Sequence, residues 1–434
     1  MLDMKFLREN PEIVKENIKK KFQDRKLPMV DEVIELDVKN RAAITELSDL
    51  RAENNKLSKA NGPLFGKLKK AWSETVKKLE TRKPELRLVQ RPLLAKPSRF
   101  VTFEDVVAGT ATAEELVAEF TDEELALMLN GRVFEDGFSV AGGTGVGGVK
   151  GGTVKNEAGE FWSSERLKIP AITCADGPSG VRLGNFGDPV TNFNPQGKTM
   201  VHWPSGTALA QGWDPAAAEK FGRLVAEDMA ASGIHGWLAP GVNIHRNPLC
   251  GRNFEYFSED PLLSGLMGAY VVRGVQTLPD GKPSGCVATV KHLCANNQEF
   301  CRGEANSIML SEKAFREIYL KPFEIAVRVG RPLAVMSSYN KVNDEYCATT
   351  YDLMTGVLRE EWGFDGFVMT DWWNAADKVR HPAAGNDVVM PGVRGYYNEM
   401  LAALKDGRMK RADAQHAAVN VLKSALLKLS GERR

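Results

Sequence analysis

Five short apolar runs, each ending in a polar or charged residue, constrain most of this chain to one architecture. They are KIPAITCAD (168–176), GIHGWLAPGVN (233–243), CVATVKH (286–292), PLAVMSSYN (332–340) and GFVMTDWW (366–373). A short apolar run closed by turn-forming or charged residues reads as a buried strand, and amphipathic text such as TAEELVAEFTDEELALMLN (112–130) reads as helix. Strands alternating with helices predict an α/β fold, a (β/α)8-type TIM barrel over residues 112–434. In such a barrel the working residues stand where strands meet the loops that follow them.

The first ninety residues have a different texture. Asn10-Pro11 predicts a helix start, with asparagine capping and proline at the first helical position. After the Leu27-Pro28 break a heptad pattern sets in. Val33, Asn40, Leu47 and Asn54 share one position, and Leu36, Ala43, Leu50 and Leu57 share the other. Asn61-Gly62-Pro63 is a turn signal, and beyond it Phe65, Trp72, Leu79 and Leu86 repeat every seven residues. Two heptad helices joined by a turn predict an antiparallel helical coiled-coil hairpin over residues 1–90. The proline-bearing stretch that follows predicts a linker at 91–111.

Charge separates the same two parts. Residues 1–100 hold 24 Lys+Arg against 15 Asp+Glu, whereas the whole chain has a formal net charge of +1. The global balance gives no reason to expect nucleic-acid or membrane binding. The six cysteines (174, 250, 286, 294, 301 and 347) form no CxxC pair, which predicts reduced, half-buried thiols. A charged N-terminus without an apolar run, and no long uncharged apolar stretch, predict a cytoplasmic protein with no membrane contact. AGGTGVGGVKGGT (141–153) reads as a mobile surface loop, because neither a phosphate-binding nor a dinucleotide-binding context frames it. No His/Asp/Glu spacing matches a metal site, so neither metal nor cofactor is expected.

The strand ends carry the chemistry. Asp176 follows TCAD, Arg252 lies in NPLCGRNFEYFSEDP, Lys291-His292 closes CVATVKH, Tyr339 closes PLAVMSSY, and Asp371-Trp372 stands in GFVMTDWW. In a barrel these ends converge. Charged groups and hydroxyls beside an indole are what recognition of a sugar calls for. Taken singly, each residue also has a structural explanation: Asp176 before Gly-Pro-Ser-Gly can cap a turn, and Lys291-His292 can be a structural pair. Trp362, Trp372 and Trp373 are by default core. His245 is expected to hold the loop bearing Arg252, and Glu255, Glu259 and Asp260 to pair with nearby arginines.

Residues 115–430 closely resemble the barrel domain of family 3 glycoside hydrolases, which includes many β-glucosidases and β-xylosidases. The resemblance rests on CADGPSGVR, APGVNIHRNPLCGRNFEYFSEDP, KHLCANNQE, MSSYNKVN and GFVMTDWW, in that order. It implies a retaining β-glycosidase acting on terminal β-D-glycosides, with Asp371 as nucleophile. It also implies that Asp176, Arg252, Lys291, His292, Tyr339 and Trp372 bind the sugar. Such an enzyme uses one carboxylate to attack the anomeric carbon and a second carboxyl, about 5–5.5 Å away, to assist the leaving group. Arg252 and Lys291 beside Asp371 would favour its ionised form.

In this family the acid/base carboxyl comes from a second domain, and no acid/base residue is identified here. The lead-in FVTFEDVVAGTATAEELVAEFTDEELALMLNGR resembles the domain-permuted members of the family. The text before it resembles the N-terminal coiled-coil arm of seryl-tRNA synthetases, in MLDMKFLRENPEIVKENIKKK, KLPMVDEVIELDVKNR and LRAENNKLSKANGPLFGKLKKA. The expectation is therefore a chimera of arm and barrel, impaired for lack of its acid and not an aminoacylating enzyme. A small sugar or oligosaccharide is the expected partner. The alternative is a coiled-coil fusion acting as an oligomerisation or tRNA-binding module with an inactive barrel.

Overall fold

The computed structural model describes residues 4–21, 24–39, 90–132, 159–183, 200–299, 302 and 307–426, together with single helical positions between 41 and 56. It divides into two compact units, Met1–Glu85 and Leu86–Arg434. No helix among the described residues is long and apolar enough to cross a membrane.

In the first unit, helices Met4–Glu9 and Pro11–Lys20 precede a helix over residues 27–39. Pro11 and Pro28 fall in first turns, where the missing N–H costs nothing. Asn10 precedes the helix but does not cap it through its side chain, which donates instead to the Phe6 carbonyl at 3.3 Å. Leu7, Val14 and Val30 form a small core with Ile18, Val33 and Ile34 around it. Leu36, expected on the heptad seam, is 56% exposed. The remaining heptad positions of the first helix, the turn at 61–63 and the second helix of the expected hairpin lie outside the described residues, as does the glycine-rich stretch 141–153.

The second unit holds the sheet. Its strands are β1 (Gly159–Glu160), β2 (Thr173–Ala175), β3 (Gly236–Trp237), β4 (Val287–Leu293), β5 (Ser307–Ile308), β6 (Ala334–Ser337), β7 (Lys341–Val342), β8 (Glu345–Tyr346) and β9 (Phe367–Thr370). The main sheet runs β1-β2-β3-β4-β6-β9, antiparallel only between β1 and β2, and β5-β7-β8 form a small second sheet. The five apolar runs are thus β2, β3, β4, β6 and β9, all parallel. Every residue of β4 is buried, the signature of a strand covered on both faces. Beyond β9 the sheet curls back. Thr370 N donates to Val388 O, Val389 N to Leu129 O at 2.7 Å, and Arg132 N to Glu160 O at 2.9 Å, returning to β1. The architecture is an α/β fold with a curled, largely parallel sheet.

Local signals explain the helices. Thr112 with Glu115, and Thr121 with Glu124, form capping boxes that start Ala113–Ala118 and Asp122–Met128. Asp214 caps Pro215–Ser232, which ends on Gly233 at φ 72°. Asp260, expected to partner an arginine, instead caps Pro261–Gln276 by accepting from Leu262 N at 2.7 Å. Residues 91–111, expected as a linker, are packed onto this unit: Val101 and Phe103 are buried, and Arg91 meets Asp413 at 2.8 Å.

Helices Pro215–Ser232 and Pro261–Gln276 pack backbone to backbone through two glycines. A Cβ at Gly222 would stand 2.3 Å from Val271 O, and one at Gly274 2.0 Å from Glu219 O. Gly274→Ala is expected to destabilise the unit by about 1–3 kcal/mol, the usual cost of overpacking. Gly356→Ala is the control, since nothing lies within 4 Å of the added methyl. Equal thermal midpoints for the two variants would contradict the close approach.

Candidate active site

The ends of β2, β4, β6 and β9 and the loop after β3 surround a pocket of about 280 Å³. Its lining includes Asp176, Arg252, Lys291, Tyr339, Asp371 and Trp372, and His292 stands directly behind Arg252. Asp176 and Asp371, 195 positions apart in the chain, therefore line one pocket because parallel strands deliver their C-terminal ends to one side.

Asp371 directly follows β9, its amide bonded to Ser337 O of β6 at 3.0 Å. Oδ1 accepts from Trp372 N at 2.8 Å, and Oδ2 faces Arg252 Nη1 at 3.4 Å. The carboxylate is 8% exposed, enough to be reached from the pocket. Arg252 is carried on the loop after β3, which His245 pins by its Nε2 contact to Asn253 O at 2.9 Å. Burial works against the Arg252 charge, but Glu255, Tyr256 and Asp371 outweigh it and hold the guanidinium protonated.

His292 is fully buried, and burial, then the charges of Arg252 and Lys291, push its pKa well below the ordinary histidine value. Its tautomer follows from its partners. Arg252 Nη2, which can only donate, sits 2.8 Å from Nε2, so Nε2 is the acceptor and Nδ1 carries the proton. Nδ1–H then donates to Tyr256 Oη at 3.2 Å, and that hydroxyl donates to Asn296 O. The 3.4 Å approach of Nε2 to Asp371 Oδ2 is thus not an ion pair. One guanidinium bridges both groups, and the imidazole fixes its plane. The Asn243 side chain grips the His292 backbone from both sides, at 2.8 and 3.1 Å.

Lys291 does not face Asp371. Its ammonium lies 2.8 Å from Asp176 Oδ1 and 3.4 Å from Glu255 Oε2, so its charge serves the opposite wall. Burial opposes ionisation of Asp176, yet Lys291 and Arg182, the latter at 2.7 Å, hold that carboxyl far below the usual range. Burial and the Asp371 charge push the Tyr339 phenol well above 10, and Arg302 lies 4.2 Å over its ring. Trp372 is a pocket wall at 1% exposure. Trp362 is core, whereas Trp373 is 38% exposed.

Among the described residues, four further charged ones line the pocket: Arg182, Glu255, Glu299 and Arg302. Arg182 and Glu255 stand inside the motifs that carry Asp176 and Arg252, six and three residues on, and that spacing is the signal that points to them. Glu255 pairs with Arg252 as expected, but its second oxygen reaches Lys291. The five described cysteines are free thiols, four of them buried, with Cys294 and Cys347 3.8 Å apart at sulfur.

Buried neutral histidines set an acid limit on stability. His381, like His292, is fully buried; burial and Lys378 lower its pKa to about 3. The unfolded chain takes up these protons near pH 6.5 and the folded chain does not, so stability is full above pH 6.5 and falls below it. At pH 5.0 His381 alone should cost about 2 kcal/mol, and His292 adds to it in the same direction. Urea midpoints measured at pH 7.5 and 5.0 check this; equal midpoints would rule out neutral burial.

Comparison with known proteins gives the family. Residues 148–423 match the model for the glycosyl hydrolase family 3 N terminal domain, and residues 1–100 that for the seryl-tRNA synthetase N-terminal domain. The chain is 40% identical over 335 residues to a beta-glucosidase of Ruminococcus albus, covering 74% of this chain and 32% of that protein. It is 38% identical over 294 residues to thermostable beta-glucosidase B of Acetivibrio thermocellus, covering 66% and 38%. Beta-glucosidase 3B of Thermotoga neapolitana, solved in complex with glucose, superposes with a TM-score of 0.64 at 37% identity over 74% of this chain and 43% of that one. A beta-glucosidase from Paenibacillus barengoltzii gives 0.67 at 35% identity, over 81% and 37%. The chain thus spans about a third of the length of these curated relatives. With the family model matching more than half of its residues, the chain belongs to glycosyl hydrolase family 3.

Proposed function

We propose that this chain is a retaining β-glucosidase-type hydrolase that cleaves terminal non-reducing β-D-glucosides through a covalent intermediate on Asp371. The observation that carries the reading is the Arg252 guanidinium shared between Asp371 and a neutral His292, which presents a carboxylate oxygen to the pocket beside fixed positive charge. The Asp176–Lys291–Arg182 cluster forms the opposing wall, with acceptors and donors for sugar hydroxyls. Tyr339 stays a phenol and donates a hydrogen bond beside the nucleophile. Asp371 attacks the anomeric carbon as the aglycone departs with the bonding electrons, and water then opens the ester with a second inversion. A pocket of about 280 Å³ suits a single sugar ring. The relatives named beta-glucosidases support the glucoside class.

The test is intact mass after incubation with 2,4-dinitrophenyl 2-deoxy-2-fluoro-β-glucoside, followed by peptide mapping. One fluoroglucosyl unit on the Asp371 peptide is expected; no adduct on a folded protein would overturn the assignment. The same reading takes residues 112–434 as a complete (β/α)8 barrel and residues 1–90 as a helical hairpin. For the arm, the match of residues 1–100 favours a docking role. Light scattering and a tRNA gel shift test it; a monomer that leaves tRNA unshifted removes that role.

A further inference from the structure

A buried lysine closes the loop that carries Asp371, and no step above uses it. Lys378 is 7% exposed, yet no carboxylate among the described residues lies within ion-pair distance of its ammonium. It donates instead to the carbonyl oxygens of Asn374 and, at 2.6 Å, of Ala376, and it lies 4.8 Å from the centre of the Tyr396 ring. An ammonium removed from water and set on neutral carbonyls is expensive, so the contact holds something of consequence in place. Asn374 is fully buried; its Nδ2 donates to Ser338 O at 2.8 Å, beside Tyr339, and its Oδ1 accepts from Ala376 N at 2.9 Å. Trp373, between Asp371 and Asn374, takes the left-handed backbone at φ 55°, and its amide donates to Met390 O at 3.0 Å. The loop is therefore tied at Asp371 and at Asn374 to the segment that leads into Tyr339: Asp371 N to Ser337 O, and Asn374 Nδ2 to Ser338 O.

We propose that Lys378 is a positioning residue whose ammonium locks the 371–378 loop on Asn374 and so fixes Asp371 relative to Tyr339. The proposal rests on Asp371 being the nucleophile, and its test separates the two. In the full chain, the rate constant for fluoroglucoside trapping is measured beside the inhibition constant for glucose. Lys378→Met keeps the apolar stem and removes the donors. A displacement of about 1 Å at a reacting group costs up to about 10²-fold, so trapping should slow ten- to a hundredfold. Glucose inhibition should shift less than about threefold on the same grounds. Lys378→Arg should restore trapping to within about threefold of wild type, its guanidinium still donating to both carbonyls. Wild-type trapping by Lys378→Met, or no rescue by Lys378→Arg, overturns the proposal. If Lys378→Met fails to fold, Tyr396→Leu replaces it; trapping should then slow measurably, and an unchanged rate is equally fatal. A wild-type chain that takes no label sinks the nucleophile assignment first, and this inference with it.

Discussion

Asp371→Asn should lower kcat/KM for aryl β-glucosides by on the order of 10⁴-fold, as loss of an essential nucleophile does. The substitution is chosen to leave the fold intact. An asparagine Oδ1 still accepts from Trp372 N, and the backbone amide still meets Ser337 O. The cost in stability is expected to stay near 1 kcal/mol or below, since Arg252 keeps Glu255 as its partner. Asp371→Gly adds a stereochemical check. With azide supplied in place of the missing carboxylate, attack from the vacated side gives an α-configured glucosyl azide in a single inversion. Activity within tenfold of wild type in the asparagine variant, or a β-configured azide from the glycine one, would place the nucleophile elsewhere.

The site was legible where the chain advertises its own periodicity. β2, β3, β4, β6 and β9 are continuous apolar runs because both faces are covered; Asp176 and Asp371 directly follow β2 and β9, Lys291 stands near the end of β4's run, and Tyr339 comes two residues after β6. That is why Asp176, Lys291, Tyr339 and Asp371 could be named from sequence. The two-residue strands β1, β5, β7 and β8, unlike the equally short β3, lie in no apolar run that could reveal them. Partners were less legible than positions. Lys291 follows directly from a strand pattern, but its pairing with Asp176 and Glu255 rather than Asp371 depends on which wall each strand end faces. Arg302 lies over Tyr339 from a loop whose sequence has no regular spacing to that strand. Residues 91–104 illustrate the limit most clearly. Two prolines and mixed polarity read as linker, yet Arg91 finds its carboxylate at Asp413, 322 positions on. Local composition carries no trace of such a partner.

Dependence on the leaving group is the second large effect expected. On this 434-residue chain, kcat for 2,4-dinitrophenyl β-glucoside should exceed that for cellobiose by on the order of 10²–10⁴-fold, the usual contribution of a general acid. Among the described residues four carboxyl groups line the pocket, and each is already engaged by a cation: Asp371 by Arg252, Asp176 by Lys291 and Arg182, Glu255 by Arg252 and Lys291, and Glu299 by Arg302 at 2.6 Å. A general acid must point a carboxyl at the glycosidic oxygen, whereas these are held on cations. A dinitrophenolate departs without a proton, whereas the sugar alkoxide released from cellobiose does not. Across a series of aryl glucosides, log kcat should therefore fall steeply as the phenol becomes less acidic. A flat series with comparable rates on cellobiose would mean that a carboxyl outside this lining, from the arm or from a partner subunit, reaches the glycosidic oxygen. Dilution separates those two sources, because a donor from a second subunit is lost as the oligomer dissociates and a donor in the same chain is not.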